Sequence, residues 1–140
     1  VPHCQAVVLS DYHKGIFNRN LSQTLIETIR KFNPNLPIIV DPKGRYYHRY
    51  KGATVITPNL KELSEVAGHP LKSQEDILTE SHRLQQSLDI ESILVTQGSQ
   101  GMTLIEKNYE AEFFPAQTRE VYDVSGAGDT VVATLALGLA

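Results

Sequence analysis

Apolar residues along this chain fall into short unbroken runs and longer spaced ones. Gln5–Ser10, Pro37–Val40, Thr54–Thr57 and Ser92–Thr96 each hold two to four consecutive aliphatic residues with no polar residue alternating between them. Runs of that length without alternation predict strands buried on both faces. Each stops at a polar or turn-forming loop: Asp11 to Gly15, Asp41-Pro42-Lys43-Gly44, Pro58-Asn59, and Gln97-Gly98-Ser99-Gln100-Gly101. The spaced runs predict helices. Asn20 caps the first, which runs to about Phe32 with Leu21, Leu25, Ile26 and Ile29 on one face. Asn33-Pro34-Asn35 ends it. A second helix follows Asn59 to about Val66 and breaks at Gly68-His69-Pro70. A third spans Ser73 to Leu88, with Ser73 and Asp76 at the spacing of a capping box. Met102–Glu106 and Ala111–Pro115 flank Lys107-Asn108-Tyr109-Glu110 as a hairpin would. Val131–Leu137 has the small apolar character of a buried helix.

Strands alternating with helices imply right-handed crossovers, hence an α/β fold with a mainly parallel sheet covered on both faces. Ligands bind such sheets beyond the carboxyl ends of the strands. Those ends carry Asp11, Asp41, Asn59 and Thr96, so the topology gathers polar side chains at one rim. The stretch Asp123-Val124-Ser125-Gly126-Ala127-Gly128-Asp129-Thr130 then opens the last helix. A helix start leaves backbone N–H groups unpaired and turns the positive end of the peptide dipoles outward. Glycine, lacking Cβ, lets an anion approach them. Asp129 falls in the first turn, where the dipole favours its ionised form. That suits a base for a hydroxyl attacking a phosphoryl group. The turn is not a Walker A loop, because no Gly-Lys-Ser/Thr follows. It is not a dinucleotide fingerprint either, because the third glycine is missing. Taken alone, it reads equally as a loop capped by Asp123 or Ser125 whose glycines only allow close packing.

Composition narrows the classes. The 140 residues are 41% hydrophobic and 21% charged, which fits one globular domain or a piece of a larger one. A net charge of −3 argues against a dedicated nucleic-acid binder. Cys4, the only cysteine, cannot form an internal disulfide and fits a reducing cytoplasm. No apolar run approaches the roughly 20 residues needed to span a bilayer. The chain starts at Val1 rather than methionine and ends at Ala140 within an apolar run, so a piece of a longer chain is expected. Arg45, His48, Arg49 and Lys51 interleave with three tyrosines. This segment reads as a solvated helix face or a sugar-phosphate contact. His3, His69 and His82 lack metal-ligand spacing.

Three motifs in order resemble the ribokinase-like (PfkB) carbohydrate kinases: Thr57-Pro58-Asn59-Leu60-Lys61-Glu62, Val95-Thr96-Gln97-Gly98-Ser99-Gln100-Gly101 and Asp123 to Thr130. Ser10-Asp11-Tyr12-His13-Lys14-Gly15 and Asp41-Pro42-Lys43-Gly44 resemble its heptose 7-phosphate kinase branch, found in bifunctional enzymes on the path to ADP-heptose and lipopolysaccharide. The resemblance implies that residues 1–140 are the C-terminal-middle portion of one such domain. It implies ATP-dependent transfer to a sugar phosphate, at O1 of the heptose, with ATP and magnesium and with a monovalent cation near Asp123 and Ser125. Asp129 would be the catalytic base, and Gly126, Ala127 and Gly128 the anion hole. Asn59 and Glu62 would support magnesium, through water, and the nucleotide phosphates. Thr96, Gly98 and Gly101 would form the nucleotide loop, and Asp11, Lys14, Lys43 and Asp123 would meet the substrate. Plainer readings stand beside these: Asn59 as a cap with a surface glutamate, the glycine loop as a strand-to-strand turn, and the lysines as solvated. The full-length enzyme is expected to be cytoplasmic and a homo-oligomer, with no nucleic-acid or membrane partner. This length alone is expected to be inactive, since most acceptor-holding residues would lie outside it. The alternatives are an incomplete fold-only or nucleotide-binding module and a kinase of another sugar, a nucleoside or a vitamin.

Overall fold

The computed structural model describes residues 4–11, 19–116 and 127–139. Six strands form one sheet in sequential order: β1 (Val7–Ser10), β2 (Ile38–Asp41), β3 (Val55–Ile56), β4 (Ser92–Thr96), β5 (Met102–Glu106) and β6 (Glu112–Phe114). The first four are parallel, and β5 and β6 add antiparallel to β4 as the expected hairpin. Four helices accompany them: α1 (Arg19–Phe32), α2 (Leu60–Ala67), α3 (Gln74–Leu88) and α4 (Ala127–Leu139).

Each parallel strand is added on the same side of the last. Right-handed crossovers in one direction must all pass over one face. That face holds the main core: Leu9, Ile38, Val40, Ile56, Ile93, Val95 and Ile105 from the sheet meet Ile26 of α1, Leu63 of α2 and Ile77, Leu84 and Leu88 of α3. The opposite face is covered by α4, where Val132 packs on Ile39 and Val55. Helices therefore lie on both faces, but unequally.

The imbalance corrects the first strand. Val8 points to the thinly covered face and is 42% exposed rather than buried. In α1, the inward face is Ser22, Leu25, Ile26 and Ile29; Leu21, one residue out of that register, is exposed, and Asn20 lies inside the helix rather than capping it. The tyrosine-rich segment is corrected too. Tyr47–Tyr50 form a 3₁₀ helix, and a three-residue turn sets Tyr47 and Tyr50 on the same side. Both are buried and meet edge to face, with centroids 5.6 Å apart. They fill the β2-to-β3 crossover where a longer helix would otherwise lie. Arg45 and His48 face solvent, as expected.

Candidate active site

The parallel strands end in step. The Asp11 N–H donates to the Asp41 carbonyl at 3.2 Å, and the Thr57 N–H to the Val40 carbonyl at 3.0 Å. Asn59, beyond β3, pairs with Thr96 at the end of β4, and the Thr96 N–H donates to the Pro58 carbonyl at 3.0 Å. The result is a rim where a cavity of 190 Å³ is lined by Asp41, Lys43, Thr57, Asn59, Glu62, Thr96, Gly128 and Asp129. Larger cavities exist, one of 720 Å³ lined by Arg45, Lys61, Glu65 and His69 among others. The rim cavity gathers three carboxylates, those of Asp41, Glu62 and Asp129.

Asn59 and Glu62 reach this rim as a complete capping box. The Glu62 N–H donates to Asn59 Oδ1 at 2.8 Å, and the Asn59 N–H to Glu62 Oε2 at 2.9 Å. Each satisfies an amide left open at the start of α2. Glu62 is nevertheless no surface glutamate, for it is 9% exposed. Its other oxygen accepts from Lys43 Nζ at 2.6 Å, and the same ammonium lies 3.5 Å from Asp41 Oδ1. Burial works against the Lys43 charge, but the bond to Glu62 and the charges of Asp41 and Glu62 outweigh it and hold its pKa above the ordinary value. Burial pushes the Asp41 carboxyl above its ordinary range; Lys43 opposes this, while Glu62 and Asp129 add to it. Asp129 stands in the first turn of α4 as expected, with Gly128 beside it on the cavity wall. The rim thus combines crowded carboxylates, one ammonium and a helix start, an arrangement able to hold phosphates and a hard cation.

The model of the pfkB family carbohydrate kinases matches residues 5–140. The chain belongs to that family. It is 48% identical over 135 residues to the bifunctional protein HldE of Rhodospirillum rubrum, covering 96% of this chain and 27% of that protein. It is 43% identical over 140 residues to HldE of Yersinia enterocolitica, covering 100% and 28%. The chain therefore spans between a quarter and a third of these relatives. Among solved structures, phosphofructokinase-2 from Escherichia coli in complex with potassium superposes with a TM-score of 0.82 at 21% identity, covering 94% of this chain and 43% of that one. Ribokinase from Arabidopsis thaliana complexed with ribose and ATP gives 0.80 at 22%, covering 96% and 43%. The ribokinase-like fold is thereby shown.

Not every residue singled out for the pfkB site reaches the cavity. Thr96 does; Gly98 and Gly101 do not line it. Their loop is a tight connection in which the Gln97 N–H donates to the Gly101 carbonyl at 2.8 Å. Gly101 has φ +109°, and a Cβ there would stand 2.0 Å from the Phe114 carbonyl oxygen. The β6 backbone thus accounts for this glycine. Asp11 is not on the wall either. It is buried and paired with Arg49 at 3.0 Å, and it accepts from the Tyr50 hydroxyl at 2.6 Å. The carboxylate is turned inward to a buried cation. Lys14, Asp123 and Gly126 lie outside the described residues, and Ala127 opens α4. Asp41 and Thr57 join the site without having been given a role in it. Asp41 carried a signal in ending a strand, and Thr57 in ending the next and opening the Thr57-Pro58-Asn59 motif. Among the described residues, no helix is long and apolar enough to cross a membrane.

Proposed function

We propose that this chain is the nucleotide-side portion of an ATP-dependent carbohydrate kinase whose acceptor is a sugar phosphate, D-glycero-D-manno-heptose 7-phosphate at O1. The observation that carries this is the convergence of Asp129, Gly128, Asn59, Glu62, Lys43 and Asp41 on one cavity at the strand ends. In this reading Asp129 takes the proton from the acceptor hydroxyl. The new bond joins that oxygen to the γ-phosphorus, and the bond to the bridging oxygen breaks, leaving ADP. The N–H groups at the start of α4 meet the charge that develops on the phosphoryl oxygens. Lys43 faces a phosphate as a point charge.

Magnesium fits the donor set. Apart from Lys43, the side chains that line the cavity carry oxygen donors, and a hard cation prefers these. Both Glu62 oxygens already accept a hydrogen bond, so Asn59 and Glu62 would hold the ion through water. When bound, the ion would neutralise phosphate charge. The likeness to the bifunctional HldE proteins supports the bifunctional heptose kinase branch over other sugar kinases. The potassium complex of phosphofructokinase-2 supports use of a monovalent cation, and its tetrameric inhibited form supports self-association of the intact enzyme. The share of the relatives that the chain spans supports the view that most acceptor-holding residues lie elsewhere.

The test is phosphoryl transfer by the intact protein from ATP to phosphorylated and free sugars, with and without Asp129→Asn. Wild type should prefer the sugar phosphate, and the variant should bind nucleotide but turn over about 10²–10⁴-fold more slowly. A preference for the free sugar would overturn the acceptor, and near-normal turnover in the variant would remove Asp129 as the base.

A further inference from the structure

We infer that Arg49 and Tyr50 are positioning residues that clamp the backbone of Lys43 and so fix where its ammonium stands in the cavity; this rests on the kinase reading of that cavity. Lys43 lies two residues beyond β2, between Pro42 and Gly44, where the sheet ladder no longer holds the chain. Its two backbone polar groups are held from the 3₁₀ helix instead. The Lys43 N–H donates to the Tyr50 hydroxyl at 3.3 Å. The Lys43 carbonyl accepts from the Arg49 guanidinium.

The clamp has a buried anchor. The same guanidinium nitrogen of Arg49 lies 3.0 Å from Asp11 Oδ2, with both side chains more than nine-tenths buried. The Tyr50 hydroxyl has one proton and gives it to that same oxygen at 2.6 Å, which leaves a lone pair for the Lys43 N–H. The guanidinium also lies over the Tyr50 ring, 5.0 Å from its centroid. Tyr50 is 1% exposed, so the hydroxyl has little freedom. Burial, and next the bond to Asp11, push its pKa upward, which keeps it a donor at neutral pH.

What the clamp holds is the lysine that faces Glu62 and Asp41. A lysine stem has four flexible carbons, and the ammonium can be placed reproducibly only if the backbone beneath it is fixed. The β1–β2 ladder already ties Asp11 to Asp41 through the backbone, so the sheet does not need this second tie. The loop does. Asp11 thereby contributes to the site through Arg49 and Tyr50.

A double-mutant cycle in the intact protein tests this. Tyr50→Phe keeps the ring and leaves the Arg49–Asp11 pair in place. It should lower kcat/KM by about tenfold, the scale of one hydrogen bond of ordinary net worth. In a Lys43→Met background it should lower kcat/KM no further, because it acts through Lys43. An equal fall in both backgrounds would overturn the clamp. Arg49→Lys, which keeps a charge for Asp11 but replaces the planar nitrogen shared by Asp11 and the Lys43 carbonyl with a flexible ammonium, should behave alike and serves if Tyr50→Phe folds poorly. A second readout needs no turnover: the nitrogen-15 signal of the Lys43 ammonium should broaden in Tyr50→Phe, and an unaltered signal would sink the clamp. An inactive wild type would overturn the kinase reading alone, since the ammonium signal still judges the clamp.

Discussion

Two helices in this molecule start with the same device and do different things with it. At α2, Asn59 and Glu62 close a capping box; at α3, Ser73 and Asp76 do the same, with bonds of 3.1 Å and 3.0 Å. The partners beyond the box differ. Asp76 accepts one further bond, from the Lys72 N–H at 2.8 Å, a neighbour four residues away. Glu62 reaches Lys43, 19 residues away, and lies on a wall shared with Asp41, Thr96 and Asp129. The α3 box finishes a helix. The α2 box finishes a helix at the carboxyl edge of a parallel sheet, where its spare carboxylate oxygen meets Lys43 and Glu62 shares a cavity wall with Asp129 of α4. Local spacing makes the cap, and topology decides whether the cap is also a site.

The largest expected contrast is in catalysis. Glu62→Gln and Asp76→Asn each keep an oxygen that can accept from the cap amide and remove one charge. In the intact kinase, Glu62→Gln should lower transfer by about 10–100-fold and raise the magnesium requirement, as loss of an outer-shell partner of a metal does. Asp76→Asn should leave both unchanged. Equal effects of the two variants on transfer would break the distinction between the boxes.

A smaller contrast is in pH dependence, where two carboxylates run in opposite directions. Bonds from the Lys72 and Ser73 amides hold Asp76 below its ordinary value of 3.8. Its contribution to stability is therefore present above pH 3.8 and lost as the pH falls below that, through its folded value. Asp41 is raised, by burial first, with Lys43 opposing. Its folded form holds the proton more tightly than the unfolded chain, so its contribution is greatest below pH 3.8 and declines as the pH rises through its folded value. Denaturation between pH 3 and 6 checks this. The stability gap between wild type and Asp76→Asn should close toward acid, and that for Asp41→Asn should shift in favour of the variant as the pH rises. Parallel pH trends for the two variants would contradict the assignment.

Much of this was legible in the sequence because it is local. The α3 box and the Asn59 cap follow from local spacing, the strands from unbroken apolar runs, and the last helix from its glycine turn. One topological rule gathered Asp11, Asp41, Asn59 and Thr96 at the rim; the last three line the cavity with Asp129, and Asp11 does not. What stayed hidden depends on pairs distant in the chain. Nothing near Glu62 announces Lys43, and nothing near Asp11 announces Arg49 or Tyr50, 38 and 39 positions on. Tyr47, Arg49 and Tyr50 look solvated because basic residues interleave with them, yet a 3₁₀ turn buries the two rings. Gly101 matches a nucleotide-loop pattern, but the reason for a glycine there is the backbone of β6. Leu21 and Val8 fit apolar patterns and are exposed because no element of the described chain covers them fully.

The most direct test of the central claim is an amide-resolved titration of the intact protein with ATP and magnesium. The amides of Glu62, Thr96 and Gly128 should shift together with one saturating affinity, while that of Asp76 should shift little. Shifts at Asp76 equal to those at Glu62, or none at Gly128, would contradict the account.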